Sequence, residues 1–148
     1  MTISFINIFF LLLLLTPFDL SLAKKCFFTE KYEVHIINKL PPNSPQLKIH
    51  CASKNDDFGD HYPVVDEDFN WSFCSKLFGD TLYFCHFWLD SKDKTFDVFN
   101  DKIYCVHDQK VPNLLKYCKW EVRSDGFYLE QYNPVDQTYY MTHYLDWS

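Results

Sequence analysis

Thr81-Leu82-Tyr83-Phe84-Cys85-His86-Phe87-Trp88 is the stretch whose reading decides the fold. Leu82, Phe84 and Trp88 share one face of an extended chain, and Tyr83, Cys85 and Phe87 share the other. A strand of an antiparallel sheet usually turns one polar face to water, and here both faces are apolar. The stretch therefore reads as a central strand whose outer face is covered by a loop, by a partner or by the C-terminal segment. Period-2 alternation recurs on both sides of it. Val34 and Ile36, Leu47, Ile49 and Cys51, Phe69, Trp71 and Phe73, Phe96 and Val98, Cys118, Trp120 and Val122, and Phe127 and Leu129 each mark a strand-length piece. Turn residues separate them at Pro41–Pro45, Asn55–Gly59, Gly79-Asp80 and Ser124–Gly126. No window has the i, i+3, i+4 spacing of a helix. These signals predict an all-β antiparallel sandwich of about seven to eight strands.

The N-terminus is of a different kind. Ile8 to Leu15 is uninterrupted and apolar, and it breaks at Thr16, Pro17 and Asp19. A spanning helix needs about 20 apolar residues, so the run reads as the core of a signal peptide. Ser21 and Ala23 place cleavage between Ala23 and Lys24. The expected organisation is a leader over 1–23, a sandwich domain over 24–132 and an aromatic C-terminal extension over 133–148, in a secreted, extracellular protein. The formal net charge is −6, and the only ionisable side chain lost with the leader is Asp19. A duplex binder wants a basic stripe that displaces counterions, so nucleic acid is not expected as a partner, nor is insertion into a membrane.

Six cysteines remain in the exported part: Cys26, Cys51, Cys74, Cys85, Cys105 and Cys118. An even number in a secreted chain, without any C-x-x-C spacing, implies a disulfide framework. Cys51 shares a face with Leu47 and Ile49, and Cys118 with Trp120 and Val122, so both thiols are expected in the core and are paired. Cys74 is out of phase with Trp71 and Phe73 and is assigned to Cys26. That leaves Cys85 with Cys105.

Several blocks in order resemble the plant self-incompatibility S-protein family. They are Leu47–Cys51 running on to Asp57-Phe58-Gly59-Asp60-His61, Trp71-Ser72-Phe73, Phe78-Gly79, Thr81–Trp88, Phe96–Phe99, Cys118–Val122 and Asp125–Tyr128. The resemblance covers about Val34 to Leu129. It implies a small secreted β-sandwich with two disulfides, made by pistil tissue in the founding members and recognised by a receptor on pollen. Cys26 and Cys74, the long stretch from Asp101 to Tyr117, and Asn133 to Ser148 depart from that pattern.

No motif points to an enzyme. No histidine precedes a glycine as in secreted self-incompatibility ribonucleases, and neither Gly-x-Ser-x-Gly nor His-Glu-x-x-His occurs. A ribonuclease-like hydrolase is the alternative, and a toxin-like action on membranes is disfavoured by the acidic charge. His50 and His86 adjoin cysteines and are expected to be hydrogen-bonded structural residues; His61, His107 and His143 are expected in solvated loops. The run from Asn55 to His61 offers oxygens to Ca²⁺ but fits an Asx-type turn with Gly59 at positive φ. No metal or cofactor is expected. Asn70-Trp71-Ser72 is the one N-glycosylation sequon, with Asn70 facing solvent. The expected partner is a cell-surface or other extracellular protein receptor, met by a monomer. Candidate recognition residues are Asp56, Asp57, Asp60 and His61 within Asn55–Val65, and His107 and Lys110 within Asp101–Tyr117.

Overall fold

The computed structural model describes residues 25–100 and 115–148, and every regular element among them is a strand. There are nine: β1 (Lys31–Asn38), β2 (Leu47–Ala52), β3 (Asp57–His61), β4 (Asp68–Cys74), β5 (Leu82–Leu89), β6 (Lys92–Asn100), β7 (Tyr117–Arg123), β8 (Gly126–Asn133) and β9 (Thr138–Leu145). They form a five-stranded sheet in the order β4-β1-β7-β8-β9 and a four-stranded sheet in the order β3-β2-β5-β6. The all-β sandwich expected from alternation is the observed architecture. All pairings are antiparallel except that of β1 with β7, whose first partners are Glu33 and Tyr117.

The alternating apolar positions meet between the sheets. Val34 and Ile36 of β1, Ile49 and Cys51 of β2, Cys85 and Phe87 of β5, Trp120 and Val122 of β7, and Phe127 of β8 are wholly buried. Trp120 sits at the centre. Its indole N–H donates to the Val98 carbonyl of the opposite sheet at 2.9 Å, so the largest core side chain also satisfies its one polar atom. Buried Asn38 donates to the Pro63 carbonyl (2.9 Å) and accepts from the Leu40 N–H (3.0 Å), which ties the end of β1 to the turn before β4.

Two assignments of the cysteines differ from expectation. Cys51 is bonded to Cys85, not to Cys118, and Cys85 is therefore not bonded to Cys105. Parity placed Cys51 and Cys118 correctly in the core, but it gives a side chain's face and not its neighbour. β2 and β5 pair with Cys51 directly opposite Cys85, their Cα atoms 4.1 Å apart. Cys118 lies in the other sheet, on β7, whereas the sulfur of Cys51 is taken by its direct cross-strand neighbour. Cys118 is itself disulfide-bonded, and Cys105 lies outside the described residues. The bridge from Cys26 to Cys74 is present as the phase of Cys74 required.

The segment after residue 132 is also placed differently. It does not extend past the domain: Thr138–Leu145 is β9, paired along β8 from Asn133 to Phe127. Nor does it cover the outer face of β5. Tyr144 meets Trp120 edge-on at 5.3 Å, Trp147 packs on Phe127 at 4.6 Å, and the Trp147 indole donates to the Arg123 carbonyl at 2.9 Å. The tail thus closes the end of the core between the sheets. Gly126 makes this possible. At φ +148° a Cβ on it would collide with the Leu145 carbonyl oxygen and lie 2.8 Å from His143 Nε2.

Candidate functional site

The outer face of the four-stranded sheet carries an ordered set of polar and aromatic side chains. The antiparallel register sets it. Because Cys51 is opposite Cys85, the preceding His50 is opposite the following His86, and Lys48 is opposite Trp88. The next strand continues the rows with Thr95 beside His86 and Asp93 beside Trp88, and β3 places Asp60 beside His50.

His50 is held at both ring nitrogens. Nδ1 lies 2.8 Å from Asp60 Oδ1 and Nε2 lies 2.7 Å from Asp57 Oδ1, so its imidazolium form donates to both carboxylates. The hydrogen bond to Asp60, and then that to Asp57, raises its pKa above the ordinary 6.5. Asp57 is held below the usual carboxylate range first by the Gly59 N–H and then by His50; Asp60 is lowered chiefly by His50 and further by Lys48. Gly59 has φ +70° and its N–H donates to Asp57 Oδ1 at 2.9 Å, the Asx-type turn expected there.

Beside this clamp His86 lies flat on Trp88, ring centroids 3.7 Å apart, with Nε2 2.8 Å from Asp93 Oδ2. The Lys48 ammonium sits 4.5 Å from the centroid of the Trp88 ring and 3.3 Å from Asp60 Oδ2. Neighbours on the same face therefore dress Trp88, whereas Leu82 and Phe84 further along β5 remain 38% and 39% exposed. Among the described residues, neither a loop nor the tail covers them.

The expected recognition residues divide. Asp57, Asp60 and His61 belong to β3, an edge strand, where a free loop was expected; the acidic, glycine-containing run pairs with β2 because His50 supplies a partner for its carboxylates. Asp56 accepts from the Tyr83 hydroxyl at 3.1 Å, and burial followed by that bond pushes the Tyr83 pKa up to about 12. His61 stacks on Phe69 at 4.2 Å with Nε2 2.8 Å from the Phe58 carbonyl oxygen, so it packs where solvation was expected. His143 is on β9, set edge-on to Tyr128 and 3.1 Å from Asp146. Asn70 is exposed on edge strand β4, as its phase required. His107, Lys110 and the Ala23–Lys24 bond lie outside the described residues. Trp88 was placed from sequence on the apolar outer face of this strand, whereas Lys48 and Asp93 were not singled out, although the mirrored pairs His50-Cys51 and Cys85-His86 contain the register that assembles them.

The sequence has relatives. The family model described as plant self-incompatibility protein S1 matches residues 33–147, from within β1 past the end of β9. The chain belongs to the plant self-incompatibility S1 family. S-protein homolog 2 of Arabidopsis thaliana is 36% identical over 110 residues, covering 74% of this chain and 66% of that protein. S-protein homolog 5 of the same plant is 35% identical over 82 residues, 55% of this chain and 59% of that one. Self-incompatibility protein S1 of Papaver rhoeas is 28% identical over 136 residues, covering 91% and 92% of the two chains. The chain spans 59% and 66% of the length of the two Arabidopsis relatives. In this member of the S1 family, residues 133–147 fall within the family match, in keeping with β9 as an integral strand.

Proposed function

We propose that this member of the S1 family is a secreted, non-catalytic ligand recognised by a cell-surface protein receptor, with the outer face of the four-stranded sheet as its recognition surface. The observation that carries the reading is the ordered set around Trp88. His86 and Lys48 fix the indole, Phe84 and Leu82 extend an apolar stripe along β5, and Asp57, Asp60 and Asp93 form a charged border. An apolar centre with a polar rim is the usual anatomy of a protein interface, and side chains already locked by hydrogen bonds lose little entropy on binding. Export after cleavage at Ala23, a glycan on Asn70 and contributions from His107 and Lys110 belong to the same reading. Asn70 lies on the other sheet, so a glycan there leaves the proposed face open.

Saturable binding of labelled, oxidised protein to plant protoplasts tests the proposal. Trp88→Ala is expected to weaken that binding by about tenfold or more, the effect of a central aromatic anchor. Binding without saturation, or hydrolysis of RNA that is abolished by His86→Ala, overturns the reading in favour of the hydrolase.

A further inference from the structure

A second surface lies at the end of the sandwich where the N-terminal arm meets the connection from β4 to β5. Phe27, Phe28, Leu77 and Phe78 are 86%, 87%, 61% and 87% exposed there. They come from two segments that are fastened together. The Cys26–Cys74 bridge joins them, the Ser75 N–H donates to the Glu30 carbonyl at 2.9 Å, and the Lys76 N–H donates to Thr81 Oγ1 at 3.0 Å. Both segments are pinned at their roots, and Leu77 and Phe78 project between these anchors. Soluble domains seldom leave four large apolar side chains together in water without a use for them.

Beside these side chains is a cleft of about 420 Å³ floored by Phe73 and Tyr83, with Lys54, Lys76, Asp56 and Asp80 around it. The surface therefore combines a convex apolar part, a concave one and an equal number of opposite charges. Neither Lys54 nor Lys76 has an ion pair among the described residues. In a chain of net charge −6, copies repel one another over most of their surface, and this end is locally balanced. Two-fold symmetry sets the same patch against itself, so that each residue type meets its counterpart twice. Lysines then face carboxylates across the axis while each projecting loop enters the other's cleft. Each of the three phenylalanines buries roughly 150–250 Å², so that with Leu77 and the cleft walls they approach the roughly 800 Å² per partner of a standard interface. The same carboxylates count against an anionic bilayer as the occupant.

We infer that the occupant of this end is a second copy of the chain: the protein forms a two-fold dimer in which the Leu77-Phe78 loop of each copy enters the Phe73–Tyr83 cleft of the other. The expected monomer is replaced by a pair in which Leu82 lines the filled cleft while Trp88, towards the other end of β5, stays open on each copy.

Sedimentation equilibrium of the oxidised, secreted protein from about 1 to 200 µM, the range in which a modest interface associates, tests this. The expected result is a concentration-dependent shift from one to two chain masses. Leu77→Ser with Phe78→Ser is expected to raise the dimer dissociation constant by at least about tenfold through loss of apolar burial, with an unchanged near-ultraviolet circular dichroism spectrum as the check on folding. Lys76→Glu and Asp80→Lys each weaken self-association, and mixing the two variants restores a dimer, because both cross-axis charge pairs are then opposite in sign. A monomer at every concentration overturns the inference. So does a dimer indifferent to the loop substitutions, or a monomer that co-sediments with phosphatidylserine vesicles through Phe78. Protoplast binding by the monomeric loop variant separates this inference from the receptor reading, which rests on Trp88.

Discussion

The bridge from Cys51 to Cys85 spans 34 residues and joins two strands that pair throughout their length, both sulfurs fully buried. The bridge from Cys26 to Cys74 spans 48 residues and holds an arm whose other ties among the described residues include one backbone hydrogen bond and the Lys116–Glu30 ion pair. By loop length alone either bond stabilises by about 4 kcal/mol, slightly more for the longer loop. That estimate assumes both ends are fixed in the folded state without the bond. The assumption holds for the strand pair and fails for the arm, which regains its freedom when released. The shorter loop is therefore the more stabilising. One bond consolidates the core, and the other positions surface.

Removing the core bridge with Cys51→Ala and Cys85→Ala is expected to cost about 3–5 kcal/mol, combining cross-link and cavity losses. Chemical denaturation measures it, and a loss below that of the peripheral pair breaks the comparison. Gly126→Ala is next, at about 2–4 kcal/mol, because β9 has to shift away from the new methyl group. Raised deuterium exchange throughout both sheets would show that this closure, unlike the arm, is part of the cooperative core, and exchange confined to β8 and β9 would show that it is not. Cys26→Ala with Cys74→Ala is expected to change global stability by less than about 1 kcal/mol while raising the proteolytic sensitivity of residues 25–30. Mild reductant is expected to open this half-exposed bridge before the buried one.

The smallest effect concerns the His50 clamp. Its folded pKa is raised above 6.5, so its contribution is fully present below 6.5 and lost as pH rises through the higher folded value. Asp57 and Asp60 have lowered values, so theirs is present above 3.8 and lost as pH falls through the folded ones. The clamp is thus complete at mildly acidic pH. The protection of β3 amides, taken relative to the free-peptide exchange rate at each pH, is expected to be greatest there, and His50→Gln flattens that profile. A flat profile in the unaltered protein would mean the clamp does not hold the edge.

Alternation alone disclosed the strands whose inner residues are large, such as Cys118, Trp120 and Val122 in β7. It failed where burial is slight. Thr138–Leu145 has exposed Tyr139 and Tyr140, and its place as an edge strand depends on pairing with β8 and on Tyr144 and Trp147 reaching the core. Asp57–His61 resembles a turn locally and becomes a strand through partners supplied by His50. The recognition face was legible only in part for a related reason. Parity gives Cys51 and Cys85 the same inward direction, yet their adjacency, and with it the row from His50 to His86, follows from which strands are neighbours. The parallel contact of β1 with β7 has no local signature at all.

That parallel contact has a temporal side. Glu33 pairs with Tyr117, so in a chain threaded through a membrane from its N-terminus β1 waits for most of the polypeptide before its sheet can close. Such distant pairing slows folding. Meanwhile cysteines emerge in the order 26, 51, 74, 85, and the first two to meet, Cys26 and Cys51, are not partners in the finished protein. Oxidation in order of arrival traps a mispaired chain, and reaching the native bonds requires thiol–disulfide exchange. For a chain exported as proposed, added disulfide isomerase is expected to raise the yield of native bonds, and a variant lacking both Cys26 and Cys74 is expected to mature faster, because Cys51 then meets its native partner Cys85 first.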